Sequence, residues 1–196
     1  MGVEANCQPA GRPKNAAATR DAILAAARAR FLQDSYDGVG LRDIAGDAGV
    51  DVALVSRYFG GKEKLFAEVL GKKDPDWLPA DTRAADLPAL LTTLFMNHDE
   101  AEHREHAEHL LIILRSASSP KASEIVRDAL RGGVLEPLAA QLAGPNADAR
   151  ASLAMAVWMG ATMLRTIMPM EPMCGGCDVV GSRMAALYEA ALSGPA

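Results

Sequence analysis

Residues 41–59, LRDIAGDAGVDVALVSRYF, restrict the fold of this chain more than any other stretch. Apolar side chains recur at intervals of three and four on both sides of Gly49: Leu41, Ile44, Ala45 and Ala48 before it, and Val52, Val55 and Phe59 after it. This spacing places each set on one face of a short α-helix. Two short helices joined by a turn of about three to four residues are typical of a helix-turn-helix, whose second helix fits the major groove of DNA. The alternative is an ordinary helical protein that happens to have two helices with a glycine between them.

The composition of the whole chain favours helices over sheets. Of its 196 residues, 49% are apolar and 23% are charged, which is typical of a soluble globular protein. Alanine, leucine, methionine and arginine are frequent, whereas the β-branched and aromatic residues that favour strands are few. We therefore expect an all-α protein with a core sufficient for one large domain or two small ones.

The sequence also indicates the cellular compartment of the protein. No apolar run approaches the roughly 20 residues needed to cross a bilayer, and the N-terminal MGVEANCQPAGRPK lacks the apolar core of a signal peptide. Three cysteines, an odd and small number, do not make a disulfide framework. We expect a cytoplasmic protein with no membrane partner.

The net charge of −5 is unevenly distributed along the chain. Through Lys73 there are 11 Lys and Arg against 9 Asp and Glu, whereas the remainder has 9 against 16. The first third is therefore the part that can approach phosphate without repulsion.

The remaining periodicity predicts further helices and one linker. A first helix over 15–34, with Ile23, Leu24, Ala27 and Phe31 on one side, is expected to pack across the two short ones. Residues 72–88 contain three prolines and are expected to form a linker. Further helices are predicted over 62–70, 89–98, 100–118, 120–143 with a kink or break near Gly132, Gly133 and Pro137, 146–168 and 178–192.

Lys62 begins the helix that follows Gly60 and Gly61. A cation at a helix N-terminus opposes the helix dipole unless an anion, such as a DNA phosphate, lies beside it. The alternative is an exposed lysine with Glu63 nearby.

With these helices in place, residues 19–70 resemble the TetR family of transcriptional repressors. The resemblance rests on IA-x-x-AGV, YF and KE-x-LF at their spacing, within the segments TRDAILAAARARF, LRDIAGDAGV, DVALVSRYF and GGKEKLF. It covers about a quarter of the chain. The sequence departs from the usual family pattern at Ser35, Gly40, Asp51 and Ser56, which bears on the operator contacts more than on the fold.

The resemblance implies a domain organisation and a set of DNA contacts. A flexible tail is expected over 1–14, a helix-turn-helix DNA-binding domain over 15–73 and an effector-binding and dimerisation domain over 74–196, with about nine helices in all. Arg42 and Arg57 can contact guanine or phosphate, whereas Leu54 can meet a thymine methyl or belong to the core. The implied DNA-binding residues are Arg42, Val52, Ala53, Leu54, Ser56, Arg57, Tyr58 and Lys62.

The family acts as a homodimer, because one such helix contacts only a few base pairs and specificity requires two copies on a palindromic DNA operator. Family members dimerise through their last two long helices. The residues that this implies are Leu153, Val157, Ala161, Leu164, Met168, Val180, Met184, Leu187 and Tyr188. The alternative for part of this set is an intramolecular core.

The family also binds a small-molecule effector in a mostly apolar cavity, which changes the distance between the two heads. The implied lining is Met96, His109, Leu114, Arg115, Met155, Trp158, Met159, Thr162 and Met163. Plain core packing is the alternative for any of the apolar members. We expect a ligand-responsive repressor that a small-molecule effector of unknown identity releases from DNA.

Two clusters of His, Cys and acidic residues suggest an alternative to a regulator that binds an organic effector. In this alternative the protein is a metal- or redox-responsive transcriptional regulator. The segment from His98 to His109 places Asp99, His103 and His106 on one helical face and Glu102, His106 and His109 on an adjacent one, and both are possible sets of metal ligands. A solvated charged face is the simpler explanation.

Cys174 and Cys177 form the second cluster, which is either a redox pair, half of a zinc site or two ordinary thiols. An enzyme is not expected, because no nucleophile with a neighbouring base, no carboxylate pair and no phosphate-binding glycine loop stands out. No cofactor is expected either.

Overall fold

The structure, a computed structural model, describes residues 13–71, 77–97, 100–174 and 178–194, and these ranges contain helices and no strand. The helices are α1 Pro13–Gln33, α2 Leu41–Asp47, α3 Val52–Phe59, α4 Lys62–Gly71, α5 Leu87–Met96, α6 Glu100–Ser116, α7 Pro120–Leu130, α8 Glu136–Ala140, α9 Ala147–Thr162, α10 Glu171–Cys174 and α11 Asp178–Leu192. A 3-10 turn at Ala84–Asp86 precedes α5. The all-α prediction is confirmed.

Helices α1 to α4 form the N-terminal head around the side chains that the periodicity selected. Ile23, Ala27 and Phe31 of α1 are fully buried, and Leu24 is buried beside them. The buried residues of the other three helices are Ile44, Ala45, Val55, Phe59, Leu65, Phe66, Val69 and Leu70. Leu41, Ala48 and Val52 are half-buried and pack against this core. The spacing of three and four therefore predicted the inward faces of α1, α2 and α3.

The connection after α1 adds an aromatic side chain to this core. Tyr36 is buried, and its ring centroid lies 4.9 Å from that of Phe66 and 6.1 Å from that of Phe31. The Phe31 and Phe66 rings meet edge to face at 4.8 Å, a favourable geometry for aromatic pairs. The three rings fix the connection between α1 and α2 against α4.

Acidic side chains order the ends of the two short helices. The Asp51 carboxylate caps α3 by accepting a hydrogen bond of 2.7 Å from the Ala53 N–H. At the start of α2, where glycine offers no side-chain cap, the Asp43 carboxylate accepts the Gly40 N–H at 3.1 Å. Gly60 ends α3 in the left-handed conformation, with φ of 77°, which suits glycine. Two of the departures from the family pattern, Gly40 and Asp51, are thus compatible with well-formed helix starts.

The Asp51 cap gives a stability prediction. Replacing Asp51 with alanine leaves the Ala53 N–H without its side-chain acceptor and is expected to lower the free energy of unfolding by about 1 kcal/mol. Asp51→Ser, which keeps a capping oxygen, is the matched control and should lose much less. Urea unfolding followed by circular dichroism at one protein concentration measures both. Equal losses for serine and alanine would contradict the assignment.

The second core joins α5, α8, α9 and α11. Its buried members are Leu78, Leu87, Leu91, Phe95, Leu138, Leu142, Ala151, Ala154, Ala161, Met184, Tyr188 and Leu192. Arg150 is also buried, and its guanidinium donates to the carbonyls of Leu192, Ala143 and Pro145 at 3.0, 2.8 and 3.2 Å. This arginine ties the end of α11 to the loop before α9.

Two π-helical turns interrupt the long C-terminal helices without breaking them. Arg131–Leu135 continues α7 into α8, and Met163–Ile167 extends α9. The sequence predicted a kink or break near Gly132 and Gly133, and the structure replaces it with a wider turn. The predicted start of α5 was two residues late, because Pro88 lies in the first turn, where its missing N–H is tolerated.

The head and the C-terminal helices share one core. Ile112 and Ile113 of α6 and Ala122 and Val126 of α7 belong to the same buried cluster as the head residues. Ion pairs add to this junction: Arg28 of α1 reaches Glu108 at 3.0 Å and Glu105 at 3.2 Å on α6, and Lys121 of α7 pairs with Glu63 of α4. The contact between α4 and α7 links the position of the head to the C-terminal helices.

Candidate DNA-binding surface and ligand cavity

The outward face of α3 is made of the residues that the sequence assigned to DNA contact. Ala53, Ser56 and Arg57 are exposed, on the side of the helix opposite to buried Val55 and Phe59. Of the remaining assigned residues in α3, Val52 and Tyr58 are half-buried against the head core, and Leu54 is half-buried. The exposed face thus carries one cation among small or apolar side chains.

Arg42 places a second cation on the exposed side of α2. Among the described residues, neither Arg42 nor Arg57 forms an ion pair, whereas Arg20, Arg28 and Arg30 of α1 pair with Glu68, with Glu105 and Glu108, and with Asp47. Arg42 and Arg57 therefore remain available to an external anion, while the arginines of α1 serve the fold.

Lys62 has a different environment from the other assigned cations. Its Nζ lies 4.4 Å from the centroid of the Tyr36 ring, a cation–π contact. Burial lowers the pKa of Lys62, and the carboxylates of Asp37 and Glu63 partly oppose that shift. The sequence predicted either a phosphate contact or an exposed lysine at this position, and neither prediction included the contact with the Tyr36 ring. The stacking holds the ammonium at the start of α4, close to the end of α3.

A cavity lies between α5, α6, α7 and α9. It measures about 70 Å³, or about 690 Å³ of empty space with its opening to solvent included. Its lining is mostly apolar and consists of Trp77, Leu91, His106, His109, Leu110, Ile113, Leu130, Val134, Leu138, Ala154, Met155, Trp158 and Met159. Four of the assigned effector residues, His109, Met155, Trp158 and Met159, come together here.

The other assigned effector residues lie elsewhere. Leu114 is 43% exposed, and Arg115 donates to the Gln33 carbonyl at 3.3 Å, so both belong to the outer side of α6 near the head. Met96 lies beside Gly181 of α11, and Met163 is half-buried at the start of the second π turn. None of these four residues lines the larger cavity, because each lies on a side of its helix that does not face it.

Thr162 lines a smaller neighbouring cavity. The residues around it are Leu94, Phe95, His103, His106, Trp158, Thr162, Arg165 and Thr166. His106 and Trp158 belong to both cavities, and their rings meet edge to face with centroids 5.2 Å apart.

An apolar surface runs along α9, the π turn that follows it and α11. Leu153, Leu164, Met168 and Leu187 are 57%, 41%, 52% and 51% exposed. Val157 and Val180 are half-buried. Met170 and Val179, which the sequence did not assign to an interface, are 51% and 62% exposed in the same part of the chain. We call these eight residues the α9–α11 face.

Three residues assigned to the dimer interface lie instead in the intramolecular core. Ala161, Met184 and Tyr188 are 7%, 4% and 0% exposed and belong to the second core. Burial raises the pKa of the Tyr188 hydroxyl. The alternative of an intramolecular core therefore applies to these three, because their side chains are buried within the core that α5, α8, α9 and α11 form.

Two family profiles match the chain. The profile described as bacterial regulatory proteins, tetR family, matches residues 23–69, and the profile of the tetracyclin repressor-like C-terminal domain matches residues 85–192.

The chain belongs to the TetR family.

Solved structures of TetR-family regulators have the same fold. A TetR-family regulator from Streptomyces coelicolor A3 is 27% identical, with 93% of this chain and 99% of that chain covered and a TM-score of 0.50. NalD of Pseudomonas aeruginosa, described as the secondary repressor of the MexAB-OprM multidrug efflux pump, is 20% identical over 91% and 98% of the two chains, with a TM-score of 0.66. SmeT in complex with triclosan is 23% identical over 89% and 91%, with a TM-score of 0.64. No curated protein sequence matches this chain.

The two clusters behind the metal- or redox-responsive alternative are only partly described. His98, Asp99 and Cys177 lie outside the described residues. Of the remaining histidines, His103 and His106 line the smaller cavity, while His106 and His109 line the larger one. Within the described ranges, no group of three or more His, Cys, Asp or Glu is placed to hold a metal ion. In the same part of the chain, no helix has the length and apolar character to span a membrane.

Sequence reasoning missed most of the cavity lining in this TetR-family chain. His106 carried a usable signal, because it lies three residues before His109 and therefore on the same face of α6. Trp77 carried none, since it lies in the predicted linker and reaches the cavity only through the tertiary fold. Its indole N–H donates to the Gly133 carbonyl in the first π turn at 3.1 Å.

Proposed function

We propose that this TetR-family regulator is a homodimeric repressor that binds a palindromic DNA operator and is released by a small molecule. The exposed face of α3 carries the proposal, because Arg57 projects from it without a protein partner among the described residues while Val55 and Phe59 anchor its other side. A helix held in this way presents its outer residues to base edges and phosphates. Arg42 and Lys62 add cations beside it.

The α9–α11 face is the proposed dimer interface. Large exposed apolar side chains on neighbouring elements are typical of a surface that a partner covers. Ala156 and Gly160 of α9 are exposed between Leu153 and Leu164, and such small residues allow a close helix approach. A second copy of the chain supplies the same apolar surface, as two-fold symmetric interfaces require. The proposed interface differs from the sequence-based prediction in two ways. It excludes Ala161, Met184 and Tyr188, which are buried in the core, and it includes Met170 and Val179, which are exposed.

Release from DNA is proposed to act through α6 and α7. Ile113 lines the cavity and also belongs to the head core, so a ligand beside it pushes on a side chain that touches the head. A third cavity, which is also small, is lined by Leu70 and Gly71 at the end of α4. It shares Ile113, Leu130 and Val134 with the larger cavity between α5, α6, α7 and α9. A shift of α7 is therefore transmitted to α4. Two structures of similar fold support this proposal: NalD is described as a repressor, and SmeT was solved in complex with the small molecule triclosan.

Selection of bound sequences from random DNA tests the proposal. The purified full-length protein is incubated with random duplexes, and the bound fraction is sequenced after several rounds, with and without candidate effectors. The expected result is an inverted repeat that is lost when one effector is present. Failure to enrich any sequence, even at low salt where phosphate contacts are strongest, would reject DNA binding.

Filling the cavity is expected to remove the response to the effector while leaving operator binding intact. Ala154 is buried and lines the cavity, so Ala154→Phe places a ring in the space that a ligand needs. The measurement is the operator affinity of wild type and variant at rising concentration of the effector found in the selection. Ala140→Phe, at an exposed position of α8, is the control and should still respond. Release of Ala154→Phe at the wild-type effector concentration would place the effector site elsewhere.

A further inference from the structure

Two carboxylates lie close to the ammonium of Lys62, the cation proposed to contact a DNA phosphate. The Glu63 carboxylate folds back toward the start of α4, with Oε2 3.5 Å from the position that a Cβ of Gly61 would take. Asp37 directly follows Tyr36, whose ring lies against the ammonium. Both carboxylates oppose the lowering of the Lys62 pKa by burial, so both act on its charge. Each can therefore compete with a phosphate for the same cation.

Both competing carboxylates are held by the first residues of α7. Within the described part of the chain, neither forms an ion pair with Lys62. Instead, Lys121 pairs with Glu63, and the Ser119 hydroxyl donates to the Asp37 carboxylate at 3.2 Å. The same hydroxyl oxygen caps α7. The start of α7 therefore occupies the two groups that would otherwise neutralise Lys62.

The pair between Lys121 and Glu63 contributes little to the stability of the fold. The two side chains are 61% and 45% exposed, and ion pairs of this exposure are weak. A weak pair also means that the Glu63 carboxylate can exchange between two cations at small cost. If Lys121 is removed, Lys62 is the cation left beside that carboxylate, because Glu63 already acts on its charge.

We propose that Lys121 is a positioning residue for DNA binding: by pairing with Glu63, it leaves the Lys62 ammonium available to a DNA phosphate. This inference rests on the proposed function, since it adds a residue that acts through the phosphate contact of the same surface. Lys121 belongs to α7, in the C-terminal domain, so a cation outside the head governs a contact inside it. When the pair is broken, Glu63 pairs with Lys62, and a phosphate must displace it.

Operator affinity of the full-length protein tests the role of Lys121. Lys121→Met is expected to bind the selected operator about fivefold more weakly than wild type, because each of the two heads must first break an exposed ion pair. Lys121→Arg, which keeps the pair with Glu63, is expected to bind as wild type does. Fluorescence anisotropy of the labelled operator at one salt concentration measures all three proteins. Equal binding by Lys121→Met and wild type would overturn the proposal.

A second substitution separates the release of Glu63 from a change in net charge. Lys121→Met combined with Glu63→Gln is expected to bind about as tightly as wild type, because the competing carboxylate is gone. Lys121→Met combined with Glu124→Gln has the same net charge and is the matched control. Glu124 is exposed on α7 and is not among the groups that act on Lys62, so this protein should remain weak. Equal affinities of the two double variants would show that Lys121 acts through net charge or its own phosphate contact, which overturns the proposal.

The Lys62→Ala background separates the proposed role from a structural one. Without the Lys62 ammonium there is no cation for Glu63 to neutralise, so adding Lys121→Met is expected to cause no further loss of affinity. If Lys121 only held α7 against the head, the same loss of about fivefold would appear in this background as well. That result would overturn the proposal.

The wild-type affinity distinguishes failure of this inference from failure of the proposed function. A wild-type protein that binds no operator would reject the repressor proposal and this inference together. A wild-type protein that binds its operator no more tightly than Lys121→Met does would reject the role of Lys121 alone and leave the repressor proposal standing.

Discussion

Replacing Arg57 with alanine is expected to lower the affinity of the dimer for its selected operator by about 100-fold or more. An arginine paired with a guanine contributes about 1–3 kcal/mol of discrimination, and the substitution removes that contact from both half-sites. Arg57 is exposed on α3, so its loss should not disturb the head core. Fluorescence anisotropy of the labelled operator at one salt concentration gives the affinity. Arg127→Ala, which removes an exposed arginine from α7, is the control and should bind as wild type does.

Lys62→Ala distinguishes base contact from phosphate contact in the same assay. A lysine that neutralises one phosphate in each half-site lowers the slope of log affinity against log salt by about 2 for the dimer. The loss for Lys62→Ala should therefore be similar on specific and non-specific DNA, whereas the loss for Arg57→Ala should be larger on the operator. Unchanged operator affinity in both variants would remove the basis for the DNA-contact assignment.

Introducing glutamate at Leu164 and Leu187 together is expected to convert the dimer into a monomer and to abolish operator binding at the wild-type working concentration. Both residues lie on the α9–α11 face and are about half exposed in the single chain, so the substitutions should be tolerated by the monomer fold. In the dimer, four carboxylates without partners would be buried, and the cost of burying each unpaired charge is several kcal/mol. Sedimentation equilibrium should show a mass near 20.7 kDa instead of twice that value.

Leu114→Glu is the matched control for the dimer prediction. Leu114 is 43% exposed and Leu164 is 41% exposed, so the two positions have similar exposure. Leu114 is not part of the α9–α11 face and precedes Arg115, which contacts Gln33 of α1 in the head, so its variant should remain a dimer that binds the operator. A dimeric Leu164→Glu, Leu187→Glu protein would show that the chain associates through another surface.

The sequence predicted the head more accurately than the C-terminal helices, for a physical reason. In α2 and α3 each helix has one apolar side, so the spacing of Ile44 and Ala45, and of Val55 and Phe59, is enough to identify the buried face. In α9 and α11 apolar residues occur on more than one side. Leu187 and Tyr188 are adjacent in sequence, yet one is 51% exposed and the other is fully buried. Periodicity cannot assign such a helix to core or interface.

The cavity was the least predictable feature. His109, Met155, Trp158 and Met159 could be proposed because a family resemblance pointed to the helices that carry them. Trp77 enters the lining from outside any helix, through a hydrogen bond to a carbonyl in a π turn. Neither the turn nor the contact has a local sequence signal, since both depend on how α7, α8 and α9 pack. The same limit applies to Tyr36, whose ring beneath Lys62 became evident only in the folded head.

The spacing between the two operator half-sites tests the central claim most directly, namely that two α3 helices of one dimer contact one operator together. The affinity of the wild-type protein is measured for the selected operator and for the same operator with five base pairs inserted at its centre. An insertion of this length turns one half-site by about half a helical turn, so only one head can engage. The proposed function predicts that the affinity falls to that of a single half-site. An unchanged affinity would contradict simultaneous binding by two heads of one dimer.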